Sequence, residues 1–157
     1  MRFLMVDAIT NLEPGVKAVG IKNAAMSEDF FADHFPQHPI LPGVLILESM
    51  VQLARWLMAE STGFSSTILL SGVRSCKFID FVVPGDQILV EVELVKTQAG
   101  DDRDTLEFLG RASIDQHRVA VANFRCAEHP FDTFDDPARA RKHLETLRLN
   151  SAKAAIR

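Results

Sequence analysis

Between residues 86 and 98, Ile88, Val90, Val92 and Leu94 alternate with partners that include Glu91 and Glu93. That period of two is the mark of a strand buried on one face. Three further stretches, roughly 66–80, 104–114 and 117–128, have the same strand character. Pro84-Gly85-Asp86 and Ala99-Gly100-Asp101-Asp102 supply turns between them, and Asp115-Gln116 is expected to close a tight hairpin. Ahead of these, Phe3 to about Met26 reads as two strands joined near Pro14-Gly15, a turn dipeptide. One segment breaks the rule. From Pro42, which suits a first helical position, to about Ser61, with Gly63 as a stop, the pattern is helical. Val44, Leu45, Ile46, Leu47, Met50, Val51, Leu53, Ala54, Leu57 and Met58 cover most of its circumference. A helix apolar nearly all round is expected to be buried.

Residues 27 to 42 belong to neither class. Pro36, Pro39 and Pro42 forbid a regular helix there and disfavour a central strand, so a fixed, extended loop is expected. One long buried helix with about six antiparallel strands reads as α+β. A curled antiparallel sheet wrapped around a long central helix, the hotdog fold, is the economical way to bury that helix. This domain is expected to occupy residues 1–130. Residues 131–157 form a C-terminal extension in which Asp135-Asp136-Pro137 starts a short, polar surface helix over Arg139 to Leu149, ending in a frayed tail from Ser151.

A chain of 157 residues, 47% hydrophobic and 24% charged, is ordinary for one globular domain. Its net charge of −4 gives no general electrostatic case for nucleic acid or an anionic membrane. The apolar runs are shorter than a membrane span. Met1 to Val6, followed at once by Asp7, is too short for a signal-peptide core, so the expected location is cytoplasmic. Cys76 and Cys126 belong to no CxxC pair and read as two buried thiols.

The candidate chemistry is concentrated in the proline-braced loop and the helix after it. His34 alone is an ordinary loop histidine. Glu48 inside an apolar helix is harder to dismiss, because carboxylates are rarely buried without a partner. It shares a helical stripe with Gln52, Arg55 and Ala59, which would face solvent or a subunit interface if Glu48 were exposed. A metal held by His34 and His38 fails on geometry: histidines four apart converge when helical, and Pro36 and Pro39 prevent that. No metal or other cofactor is expected.

Phe30-Phe31-Ala32-Asp33-His34-Phe35-Pro36, followed by Pro39-Ile40-Leu41-Pro42-Gly43-Val44-Leu45-Ile46-Leu47-Glu48-Ser49-Met50-Val51-Gln52, closely resembles the signature of the FabZ-type 3-hydroxyacyl-(acyl carrier protein) dehydratases. That signature runs approximately FFxGHFPGxPxxPGVLxxEAMAQ. The resemblance takes in Phe3-Leu4-Met5-Val6-Asp7, Lys77-Phe78 and Val83-Pro84-Gly85-Asp86, and so extends from about residue 3 to 127. Asp33, Gln37, His38 and Ser49 depart from it. Most family members also carry a helical segment ahead of the LLVD-like strand, so part of the tunnel cover or dimer contact is expected either to be absent or to be supplied by the C-terminal extension.

The resemblance implies dehydration of a 3-hydroxyacyl thioester on acyl carrier protein to the trans-2-enoyl thioester, in fatty acid or related lipid synthesis. His34 would take the α-proton. Glu48, from the partner subunit of a homodimer, would protonate the leaving 3-hydroxyl in a nearly dry, apolar tunnel. The backbone N–H groups of Gly43 and Val44, at the positive end of the helix, would polarise the thioester carbonyl, with Gly43 presenting no side chain in the way. The phosphopantetheine arm of the carrier would deliver the acyl group. In this family the dimers commonly assemble in threes. Two other readings keep the same fold: an acyl thioesterase, and a non-catalytic protein that binds acylated carrier.

Overall fold

The computed structural model describes residues 3–99 and 104–154. Six strands form one antiparallel sheet in the order β1-β2-β4-β5-β6-β3. The strands are β1 (Ala8–Glu13), β2 (Lys17–Asn23), β3 (Ser66–Phe78), β4 (Gln87–Gln98), β5 (Thr105–Ile114) and β6 (His117–Pro130). The long helix α2 (Gly43–Ser61) lies against β2, β3, β4, β5 and β6. This is the α+β hotdog arrangement, and the alternation along the strands produces it. Ile88, Val90 and Val92 of β4 are buried, as are Leu106, Phe108 and Ala112 of β5 and Ala120, Ala122, Phe124 and Cys126 of β6. They meet Ile46, Met50, Leu53, Ala54 and Leu57 of α2 in one core.

Close approach of helix to sheet depends on Gly110 of β5. A Cβ at this position would lie 2.6 Å from Met50 Sδ and 3.2 Å from its Cβ, so the helix could not rest where it does. The hairpin between β5 and β6 turns at Asp115 and Gln116 with φ of 46° and 71°. Two successive positive φ values give a turn whose twist matches that of the flanking strands. The second expected turn, at Ala99 to Asp102, falls largely on residues 100–102, which lie outside the described residues.

Three local expectations are revised. The loop from 27 to 42 contains a single helical turn, α1 (Phe30–Asp33). The prolines begin only at Pro36, so nothing upstream opposes that turn, and the buried Phe31 anchors it. Pro42 stands just outside α2 as its N-cap, with ψ of 129°, and Gly43 is the first helical residue. The C-terminal helix α3 (Pro137–Ala154) is 18 residues long, longer than the polar stretch suggests. It starts at the expected Asp135-Asp136-Pro137, where Asp136 Oδ1 accepts the N–H of Arg139 at 2.7 Å. It is also less of a surface element than expected: Ala140, Leu144 and Leu147 fall on one face and are buried, and the helix packs along β1. Ser151 to Ala154, expected to fray, are helical, and residues 155–157 lie outside the described residues. Among the described residues no helix is long and apolar enough to cross a membrane.

Both cysteines are free thiols. Burial pushes the Cys126 thiol from its ordinary 9.0 up to about 12. Between those values the folded chain keeps a proton that the unfolded chain gives up, so this group lowers stability as the medium becomes alkaline. Iodoacetamide is expected to leave Cys126 unmodified in the folded protein at pH 9 and to alkylate it readily in denaturant. Mass spectrometry of the digested protein reads this directly; equal labelling in both states would contradict the burial.

Candidate active site

His34 ends α1, and its position is set by Ile40. Its Nδ1 lies 3.0 Å from the Ile40 carbonyl oxygen, while the Ile40 N–H donates to the His34 carbonyl at 2.9 Å. A carbonyl cannot donate, so Nδ1 carries the hydrogen, and in the neutral ring Nε2 keeps its lone pair. The intervening loop is closed by reciprocal bonds between Phe35 and His38 and tied to the β3–β4 connection by Leu41 N–H donating to Val82 O at 2.8 Å. The His34–Phe35 peptide is cis. The prolines and these bonds therefore present the ring with Nε2 as its available base.

Gly43 and Val44 occupy the first turn of α2. No helical carbonyl precedes them, so their N–H groups point outward at the positive end of the helix. Leu45 N–H is already taken by Pro42 O at 2.9 Å. Gly43 was expected simply to leave room for an approaching ligand. A Cβ there would also stand 2.9 Å from the Phe78 ring. The half-exposed Phe78 thus packs directly against the helix start.

Glu48 lies one and a half turns further along α2 and is half-buried. Gln52 Nε2 donates to Glu48 Oε1 at 2.8 Å and to the Phe3 carbonyl at 2.9 Å. The Gln52 side-chain oxygen in turn accepts the Met5 N–H at 2.9 Å. The glutamate is therefore held in place by an amide that the N-terminal stretch clamps from both ends. Sequence reasoning placed Gln52 on a stripe with Glu48 and at the end of the motif that carries the resemblance, but its partners 47 and 49 residues away were not legible. Within the chain, His34 and Glu48 keep separate partners, Ile40 and Gln52.

The stripe of Glu48, Gln52 and Arg55 borders a cavity of about 680 Å³, whose lining also includes Phe3, Trp56 and residues of α3. Its lining carries charged as well as apolar side chains. Arg55, Arg139, Lys142 and His143 are all part of it, and the His143 ring stacks on Trp56 with centroids 5.4 Å apart.

Comparison with known proteins bears on the family and the fold. The FabA-like domain family matches residues 1–123. The 3-hydroxyacyl-acyl-carrier-protein dehydratase FabZ of Aromatoleum aromaticum is 36% identical over 129 residues, covering 80% of this chain and 86% of that protein. The FabZ of Vibrio cholerae is 37% identical over 132 residues, covering 82% of this chain and 84% of that one. Among solved structures, a hot-dog-like protein from Thermanaerovibrio acidaminovorans superposes with a TM-score of 0.60 at 16% identity, over 83% of this chain and 93% of that chain. The dehydratase heterocomplex ApeI:P of Xenorhabdus doucetiae gives 0.59 at 20% identity, over 78% and 99%. The structural likenesses speak for the fold, and the sequence match for descent: this chain belongs to the FabA-like family.

Proposed function

We propose that this chain dehydrates a 3-hydroxyacyl thioester, carried on acyl carrier protein, to the trans-2-enoyl thioester in fatty acid or related lipid synthesis. The observation that carries the reading is the fixed ring of His34, whose Nδ1 is committed to Ile40 and whose Nε2 is left as a base. The thioester carbonyl sits at the α2 N-terminus, where the Gly43 and Val44 N–H groups stabilise the charge that develops on its oxygen. His34 Nε2 removes a proton from C2. The electron pair of that C–H bond forms the C2=C3 double bond as the C3–O bond breaks, and the hydroxyl leaves as water with the proton of Glu48. The reaction leaves one extra proton on His34 and one fewer on Glu48, and their return to the starting states completes the cycle. The charges balance without a cofactor.

A homodimer supports this chemistry. β3 is an edge strand of 13 residues, and an edge that long is a ready template for another chain. Leu70, Val73 and Phe78 on it, with Ile79, Phe81 and Val83 just after, are large apolar side chains left exposed. Pairing of two copies there covers them and lets His34 of one subunit work with Glu48 of the partner subunit. The working unit is a hotdog domain through residue 130, with residues 131–157 as an extension. Cytoplasmic residence fits two cysteines that remain free thiols.

The test is conversion of 3-hydroxyacyl thioesters of several lengths, on carrier protein and on coenzyme A, followed by absorbance of the conjugated product. No turnover with any of them would overturn the reading, and release of free thiol in its place would point to a thioesterase. Gln52→Leu is expected to lower kcat by roughly 10- to 100-fold with little change in KM, because it frees Glu48 from its register without touching the substrate. A purely structural role would lower the melting temperature and leave kcat per folded molecule unchanged.

A further inference from the structure

The cavity beside Glu48 runs along α2 away from the site of chemistry, and its far part is cationic. Glu48 and Arg55 are seven residues apart on one helical face, which places them about 10 Å apart along the axis. Glu48 and Arg55 both line the cavity, so an acyl chain that enters it with C3 beside Glu48 can reach Arg55. That end is closed by α3, which lies beyond the 1–123 stretch matched by the family.

The cations lining the cavity are not equivalent. Arg139 is neutralised by Asp135, whose Oδ1 accepts its Nε–H at 3.0 Å. Arg55 is half-buried and pairs with no carboxylate among the described residues. Its positive charge is felt by the buried thiol of Cys126, and it lines the cavity from α2. Lys142 lines the same space from α3 and likewise has no ion pair among the described residues. Thr67, only 3% exposed, also lines the cavity with a hydroxyl able to donate. A guanidinium drawn partly out of water gains most from an anion that it can bind with two parallel hydrogen bonds. A methyl-ended chain offers it nothing and removes water from it.

We propose that this subsite takes an acyl chain whose far end carries a carboxylate, with Arg55 as its main contact and Lys142 at the rim. The inference rests on the dehydratase reading and names its substrate class. The test uses three 3-hydroxyacyl thioesters of equal length, ending in a methyl group, a carboxylate or the methyl ester of that carboxylate. Dehydration kcat/KM is measured for each, together with calorimetric binding of the matching trans-2-enoyl thioesters, which needs no turnover. The carboxylate is expected to exceed its ester by about 10- to 100-fold, the effect of one hydrogen bond between charged groups. Arg55→Met is expected to bring that ratio close to one, and Lys142→Met to lower it less; thermal melts confirm that each variant is folded. A ratio near one in the wild type, or one unchanged by Arg55→Met, overturns the subsite. Turnover confined to the methyl-ended chain keeps the dehydratase and rejects the subsite. Arg55-dependent binding of the carboxylate without turnover of any chain keeps the subsite and rejects the dehydratase.

Discussion

Replacing His34 with alanine is expected to cut dehydration by about 10²- to 10⁴-fold, the usual contribution of a positioned general base. The ring is fixed through Nδ1 by Ile40, so its loss removes the base while the Ile40 N–H to His34 carbonyl bond, a main-chain contact, survives. Glu48→Gln is expected to cost a similar factor, since glutamine can accept the Gln52 amide but cannot give a proton to a leaving hydroxyl. The two variants together also report where the residues meet. If each site takes His34 from one subunit and Glu48 from the partner subunit, mixed dimers of His34→Ala and Glu48→Gln chains contain one intact site and one doubly damaged site. Co-folding the two inactive variants is then expected to restore up to about a quarter of wild-type activity, because random pairing makes half of the dimers mixed and each has one working site. An inactive mixture, with mixed dimers verified by mass, would sink the shared site. Full activity in either single variant would sink the assigned pair.

The largest expected effect on stability comes from the middle of α2. Leu53 is fully buried at 0% exposure and sits against β2, where a Cβ on Gly20 would lie 3.1 Å from its Cδ1. Leu53→Ala removes buried apolar atoms and leaves a void that the sheet cannot close, because the strands on both sides are fixed by their ladders. The expected loss is about 2–5 kcal/mol, or a fall of roughly 4–20 °C in melting temperature for a domain of this size. Thermal unfolding followed by circular dichroism measures it. A change of less than about 1 °C would mean that α2 is not the centre of the core.

Much of the architecture was legible because burial imposes a local rhythm. Ile88, Val90 and Val92 must alternate with polar neighbours if one face of β4 meets the core, and the observed strand, Gln87–Gln98, agrees with that reading. The central helix was legible for the opposite reason, since its apolar residues leave almost no face for water. In the candidate site, His34, Gly43, Val44 and Glu48 were marked by the proline frame and by the resemblance. The single turn of α1 was missed because its cause, the burial of Phe31, leaves no periodic trace in four residues.

The amino-acid sequence by itself thus determined the strands, the central helix, the family signature and the order of the candidate catalytic groups. Tertiary structure decided what surrounds them. The stripe of Glu48, Gln52 and Arg55 was compatible with solvent or a subunit contact; a helix beginning at Pro137, more than 80 residues away, helps enclose it in a cavity. Gln52 became the holder of Glu48 only when the chain near Phe3 and Met5 came to lie beside it. The burial of one face of α3 likewise depends on Leu144 and Leu147 finding partners, within a stretch that reads as polar. The physical reason is the same in each case. Periodicity records which residues leave water, whereas contacts between distant segments are chosen by packing, and packing is settled only when the whole sheet has closed around its helix.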